Sequence, residues 1–382
     1  MTKNQGKIEK LISELCPEGV ELKKFGEVCE IADNKRRPVA SGLRVAGKTP
    51  YYGANNIQDY VEGFTHEGDF VLIAEDGSAS LENYSIQFAT GRFWANNHVH
   101  VVRGFDKLNN RFLFHYLRSI KFIPFLTGGT RAKLTKAKML EIKIPIPPLA
   151  VQEEIVKTLN SFTELEAELE AELEARKNQY EHYRSVLLTF GGETQWIALG
   201  AIGRRNHGTN ITASKMADLQ TENAPIRIFA AGKTVADVPF GSIPEEDVID
   251  EASIIVKSRG YIGFEYYDKP FSHKNELWSY TIQDENVNQK FVYYYLLTQV
   301  EKFQRKAKAC SVKLPQLSVG DTDNFKVPVP SLAEQERIVM ILDKFDALVN
   351  DISVGLPAEL TARRSQYEYY RGKLLTFNEY AH

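Results

Sequence analysis

The chain spells IPIPPLAVQEEIVKTLNSF from Ile144 to Phe162 and VPVPSLAEQERIVMILDKF from Val327 to Phe345. Pro145, Pro147, Leu149, Ala150, Gln152, Glu153, Ile155, Val156, Leu159 and Phe162 recur at Pro328, Pro330, Leu332, Ala333, Gln335, Glu336, Ile338, Val339, Leu342 and Phe345. A second pair, QYEHYRSVLLTF (Gln179–Phe190) and QYEYYRGKLLTF (Gln366–Phe377), follows in the same order. One unit is therefore written twice. Each copy opens on an extended Pro-x-Pro stretch, because proline fixes φ and disfavours helix in the residue before it.

A helix follows in each copy. Ile155, Leu159, Phe162, Glu166, Leu169, Leu173, Arg176, Tyr180, Tyr183 and Leu187 step alternately by four and three, a heptad seam with two polar interruptions. Ile338, Leu342, Phe345, Val349, Ile352, Leu356, Leu360, Arg363, Tyr367, Tyr370 and Leu374 repeat it, absorbing extra residues between Ile352 and Leu360 as a stutter. Gly355 and Pro357 lie there, so a kink or break is expected. About 35 to 40 residues at ~1.5 Å each make a rod of roughly 55–60 Å. Two such rods with apolar stripes pack most simply on each other, as an antiparallel intramolecular coiled coil.

The segments before each helix are weaker relatives. Leu22–Val28 matches Trp196–Ile202 in its apolar and glycine positions, and Thr49–Asn55 parallels Ile226–Gly232. Short β-rich runs follow (Asp69–Ala74, Ala252–Lys257), then aromatic helical runs (Arg111–Leu117, Phe291–Leu297). Loops ending in a leucine come next, GGTRAKL (Gly128–Leu134) and CSVKLPQL (Cys310–Leu317). The expected fold is α+β: two pseudo-repeated α/β domains separated by two long helices, with pseudo-two-fold symmetry. Expected boundaries are 1–147 for the first domain, 148–192 for the first helix, 193–330 for the second domain and 331–382 for the second helix and tail.

The 382 residues are 43% hydrophobic and 25% charged, a globular composition, and no apolar run suits a membrane span. The N-terminus is polar and unlike a signal peptide, and Cys16, Cys29 and Cys310 form no paired framework. A soluble, cytoplasmic protein of a reducing compartment is expected. The net charge of −3 hides a segregation. Residues 151–190 carry nine acids against four bases and 334–377 seven against six, leaving a small basic excess elsewhere.

Phosphate-loop, zinc-protease and nucleophile-elbow motifs are absent. His98 and His100 alternate on one strand face but lack neighbouring ligands in sequence. Glu75-Asp76 and Glu141-Ile-Lys143 resemble nuclease patterns only by being common pairs of solvated loops. What stands out instead is basic and polar residues in loops. In the first half these are Lys35, Arg36, Arg37, Asn97, Gly128, Gly129, Thr130, Arg131, Lys133 and Lys136. In the second they are Arg204, Arg205, Lys257, Ser258, Arg259, Lys306, Lys308, Lys313 and Gln316. Such residues beside glycine grip phosphates and read base edges.

The repeated Pro-x-Pro-x-Leu-Ala-x-Gln-Glu-x-Ile-Val helix start, with its QYxxYRxxLLTF end, resembles the specificity subunit of type I restriction-modification systems over essentially the whole chain. That resemblance implies two target recognition domains, each reading half of a bipartite double-stranded DNA site, on helices that set the spacer. It implies docking of two modification (methyltransferase) subunits and recruitment of restriction subunits. It implies a non-catalytic chain that binds no cofactor, with S-adenosylmethionine, ATP and Mg²⁺ on the partners, and no membrane contact. It places Gly128, Gly129, Thr130, Arg131 and Leu134 near DNA; Ser311–Leu317 fills the second slot without the glycine pair. An interaction scaffold with degenerate domains would keep the helical seams and lose the basic loops. A stand-alone nuclease or methyltransferase would need a cofactor or metal motif.

Overall fold

The computed structural model describes residues 3–129, 132–309 and 314–380 and divides into two compact units. Unit 1 is Met1–Glu170 with Glu359–His382, and unit 2 is Ala171–Ala358. Both divisions fall inside long helices, so each unit joins an α/β domain to parts of two helical segments.

In chain order the first domain runs α1 (Lys3–Leu15), β1 (Leu22–Lys24), α2 (Phe25–Val28), β2 (Cys29–Ile31), β3 (Ala46–Tyr52), β4 (Ile57–Val61), β5 (His66–Glu67), β6 (Phe70–Ala74), β7 (Ile86–Ala89), β8 (Arg92–Ala95), β9 (Val99–Gly104), α3 (Asn110–Ser119), α4 (Lys136–Leu140) and β10 (Lys143–Pro145). Then comes α5 (Leu149–Leu187). The second domain runs β11 (Gln195–Ala198), α6 (Leu199–Ile202), β12 (Gly203–Asn206), α7 (Ala213–Leu219), β13 (Ile226–Phe229), β14 (Val235–Val238), β15 (Ser253–Lys257), β16 (Gly263–Tyr267), β17 (Phe271–His273), β18 (Trp278–Ile282), α8 (Gln289–Thr298), α9 (Val300–Ala309), α10 (Val319–Asp323) and β19 (Lys326–Val329). The chain closes on α11 (Leu332–Asn350) and α12 (Leu356–Leu374).

The two domains share their strand order. Unit 1 holds an antiparallel sheet β2-β9-β6-β7, and unit 2 an antiparallel sheet β12-β18-β15-β16. Their central strands, FVLIA (β6) and SIIVK (β15), are buried along their whole length, which suits β-branched and apolar residues inside a covered sheet. A second sheet also repeats: β4-β3-β8-β5 in unit 1 and β14-β13-β17 in unit 2, with β3·β8 and β13·β17 parallel. Short ladders β1·β10 and β11·β19 tie the start of each domain to the Pro-x-Pro stretch that ends it.

The repeated glutamine of the helix start has a structural task. Gln152 is fully buried; its Oε1 accepts the Asn109 N–H at 2.8 Å, and its Nε2 donates to the Lys107 and Pro147 carbonyls at 2.9 and 2.7 Å. Gln335 does the same with Asn288 N–H, Asn286 O and Pro330 O at 2.8, 2.9 and 2.8 Å. Asn109 and Asn288 in turn cap α3 and α8 through their side chains, filling donors that every helix start leaves open. The repeated glycines act by close approach. A Cβ at Gly26 would stand 2.7 Å from Leu140 Cδ2, and one at Gly200 3.1 Å from Asp323 Cβ.

Within unit 1 the first part of α5 runs antiparallel to α12: Phe162 meets Tyr367 and Tyr370, whereas Glu166 and Glu170 meet Arg364. Within unit 2 the second part of α5 packs on α11, where Tyr180 and Tyr183 stack on Phe345 at 6.3 and 5.3 Å between ring centroids. The expected interruption lies between α11 and α12. Asp351 Oδ1 accepts the Ser353 and Val354 N–H groups, and a Cβ at Gly355 would meet the Ala347 carbonyl at 2.4 Å. The seam is therefore cut rather than continued by a stutter, and Ile352, assigned to it from spacing, is 85% exposed. The chain's end returns to its beginning within unit 1: Val20 N–H donates to Asn378 O and Tyr380 N–H to Val20 O. No helix among the described residues is long and apolar enough to cross a membrane.

Candidate nucleic-acid interface

In both units a loop follows the central strand of the main sheet and meets a second loop that ends in a buried leucine. In unit 1 the second loop is closed by a reciprocal pair, Thr127 N–H to Lys133 O at 2.9 Å and Lys133 N–H to Thr127 O at 2.8 Å. Leu134 is fully buried, and its N–H donates to Glu75 O at 2.8 Å, pinning this loop to the end of β6. Gly128 and Gly129 are exposed at φ +95° and +55°. Two consecutive left-handed residues are a conformation that side chains resist, which accounts for the glycine pair.

Beneath the loop lies a network of acids that the sequence reading did not use. Glu75, 15% exposed at its side chain, receives Lys133 Nζ and Arg36 Nη1, both at 2.7 Å. Arg36 also donates to Val99 O at 2.6 Å and sits 3.5 Å from Asp33. His100 Nδ1 lies 2.7 Å from Asp33 Oδ2 and its Nε2 2.9 Å from Leu134 O. Burial alone would raise the Asp33 carboxyl, but hydrogen bonds from His100 and the Val101 N–H, with the His100 and Arg36 charges, bring it below the ordinary range. Glu75 is lowered likewise: its burial is outweighed by hydrogen bonds from Lys133 and Arg36 and by the charges beside it. Arg36 thus holds the loop base together, and the reading of it as a surface contact is corrected: its polar atoms are spent on internal acceptors. Lys133 is raised by its Glu75 hydrogen bond and is half-exposed.

Around this base Lys35, Arg37, Asn97 and Lys136 are exposed, and none of the three cations is ion-paired among the described residues. Lys136 begins α4, whose Thr135 cap accepts the Lys138 N–H. A cleft of about 680 Å³ opens at the foot of the loop, bordered by Asp76, Gly77, Ser78, His98 and Lys133. Thr130 and Arg131 lie outside the described residues.

Unit 2 repeats the frame with other side chains. Leu317 is buried and its N–H donates to Ser258 O at 2.9 Å; Gly260 N–H donates to Pro315 O at 2.9 Å. Two residues expected at the surface are turned inward. Lys257 is 4% exposed, 3.2 Å from Glu265 and over the Phe229 ring; Ser258 is 2% exposed and donates to Glu276 O. Neither suits a surface contact, because both close β15 on its buried side. Three cations are exposed but paired: Arg204 with Glu251, Arg205 with Asp323 at 2.7 Å, and Lys306 with Asp321 at 2.7 Å. Asp321 also receives both Ser318 N–H and hydroxyl, as the capping box of α10. Arg259, Lys308 and Gln316 are exposed, and the two cations are not ion-paired among the described residues. Lys313 lies outside them.

The charged and polar interface candidates among the described residues therefore sort into an inner set whose side chains are buried or ion-paired (Arg36, Lys133, Arg204, Arg205, Lys257, Ser258, Lys306) and an outer set free to face a ligand (Lys35, Arg37, Asn97, Lys136, Arg259, Lys308, Gln316). Asp33, Glu75, Asp321 and Asp323 complete the inner set. No group of three or more His, Cys, Asp or Glu among the described residues is arranged to hold a metal ion.

The sequence matches the family described as "Type I restriction modification DNA specificity domain" twice, over residues 17–175 and 209–362. A putative type I restriction enzyme specificity subunit of Haemophilus influenzae is 44% identical across 99% of this chain and 100% of its own length. The specificity subunit of an Escherichia coli type I restriction enzyme is 36% identical across 62% of this chain and 63% of its own. The fold is similar to the crystal structure of an S subunit from M. genitalium, with a TM-score of 0.65 at 18% identity over 93% of this chain and 96% of that one.

Proposed function

Because this chain belongs to the type I restriction-modification DNA specificity family, with two copies of its domain, we propose that each unit reads one half of a bipartite double-stranded DNA sequence. The observation that carries this reading is the pairing of a repeated loop frame with unrepeated loop side chains. Leu134 and Leu317 are pinned alike, while the exposed residues around them differ. Identical frames with different outer residues are what two readers of different half-sites require. Lys35, Arg37 and Lys136 in unit 1 and Lys308 in unit 2 contact phosphates; Asn97 and Gln316, with the glycine loop, lie at the base edges.

The chain performs no chemistry itself. Two modification subunits dock on the paired helices and restriction subunits join them, bringing S-adenosylmethionine, ATP and Mg²⁺; the assembly works in the cytoplasm. Helix length sets the spacer between half-sites, as dimer geometry does in other DNA readers. Joining two weak readers raises the effective concentration of the second once the first is bound. The acidic helices repel DNA unless a partner covers them, so binding by the chain alone is weak and salt-sensitive.

Selection from randomised duplex DNA, with the chain alone and with a modification subunit, tests this. A two-part motif at one fixed spacing, tight only in the complex, is expected. Tight, salt-insensitive binding by the chain alone, or no enrichment with the partner bound, would overturn it.

A further inference from the structure

Strand register and loop pinning align the two units residue by residue. Ile73 faces His100 across β6 and β9, and Val256 faces Trp278 across β15 and β18. The buried leucines donate their N–H groups to Glu75 O and Ser258 O, which makes Glu75 and Ser258 counterparts. The following residues, Asp76 and Arg259, are then equivalent. Both are bridged to the residue just before the leucine, Asp76 to Lys133 and Arg259 to Gln316. Both precede a left-handed glycine, Gly77 at φ +69° and Gly260 at φ +75°. The same register makes His98 and Glu276 counterparts on the neighbouring strand ends.

One backbone seat thus carries a carboxylate in unit 1 and a guanidinium in unit 2. Its neighbour changes in the opposite sense, from His98 to Glu276. Asp76 Oδ1 accepts from His98 Nδ1 at 2.5 Å, which orients the carboxylate at the rim of the 680 Å³ cleft; Oδ2 takes no hydrogen bond among the described residues. Arg259 is exposed, and Glu276 is held by Lys274 at 3.0 Å rather than by Arg259. A carboxylate can accept from the amino group of cytosine, and a guanidinium donates two bonds to guanine O6 and N7.

We propose that positions 76 and 259 are equivalent base-discriminating positions: Asp76, oriented by His98, accepts from a cytosine amino group in one half-site, and Arg259 donates to guanine in the other. This rests on the DNA-reading assignment above. The charge reversal at one seat is what makes the half-sites differ.

The test is selection from randomised duplex DNA by the chain bound to a modification subunit, run on wild type, Asp76→Asn, Arg259→Ala and Arg259→Lys. Arg259→Ala should lower the preference for one G·C column of one half-site by about tenfold or more, leaving the other half unchanged as the internal proof of folding. Arg259→Lys should lower it as well, since a single ammonium lacks the two-pronged geometry. Asp76→Asn should change a single column of the opposite half. Variants that keep every wild-type column, or that weaken all columns evenly as a lost phosphate contact would, overturn the proposal while leaving DNA reading intact. Absence of any two-part motif from wild type overturns both.

Discussion

The helix starts of the two units agree to within a tenth of an ångström in the hydrogen bonds of Gln152 and Gln335, whereas the loop rims oppose each other in charge at Asp76 and Arg259. The difference separates two physical demands. A buried amide with three partners tolerates no change, since each partner it loses stays buried without water. An exposed rim residue leaves the frame's energy almost unaffected and is free to diverge. The frame is held from within, and recognition is carried where the frame does not depend on it.

The strongest way to break this comparison is to remove the inner clamp. Gln152→Leu and Gln335→Leu should each cost about 2–4 kcal/mol, because each leaves two carbonyls and one N–H of the helix junction unpaired. The loss should be similar in the two units. It can be read as a shift of the denaturant midpoint; a shift in only one variant would refute the equivalence.

A second effect sharpens it through pH. His115 in unit 1 and His273 in unit 2 are buried and lowered to about 4, first by burial; nearby positive groups, Arg118 for His115 and His207 for His273, add to this. His115 Nε2 donates to Asn160 Oδ1 at 2.9 Å and Nδ1 accepts from Tyr367, an arrangement for neutral imidazole. The unfolded chain takes up protons near pH 6.5 that the folded one refuses. Stability should be complete above that pH and fall, towards pH 4, by up to about 1.4 kcal/mol per pH unit for each histidine. Thermal melts across this range should show the fall, and His115→Gln should remove about half of it, leaving the His273 share; an unchanged slope would contradict the assignment.

The smallest expected change distinguishes inner from outer cations. Arg36→Ala should destabilise unit 1 by about 1–2 kcal/mol, since it strips Asp33 and Glu75 of their counter-charge. Arg37→Ala should alter stability by less than about 0.5 kcal/mol yet lower both DNA affinity and its salt dependence. Melting and salt-titrated binding on the two neighbours would settle which one faces the phosphates.

Much of the architecture was legible because it is local and repeated. The Pro-x-Pro start and the seam through Ile155, Leu159 and Tyr180 are patterns of short range. The loop base was not. Arg36 meets Glu75 across 39 residues, and Lys306 on α9 meets Asp321 on α10. In the sequence these arginines and lysines look the same as Arg37 or Lys308.

The sequence by itself determined that one unit occurs twice, where its helices start, and that the second helix kinks or breaks near Gly355; that the break cuts the seam was decided by the fold. Proline, glycine and apolar spacing act on the backbone within a few residues, so they speak without the fold. Only the tertiary structure decided which charges are structural and which are free, and that Asp76 and Arg259 share one seat. Burial and strand register assign those roles, and both arise from partners distant in the chain.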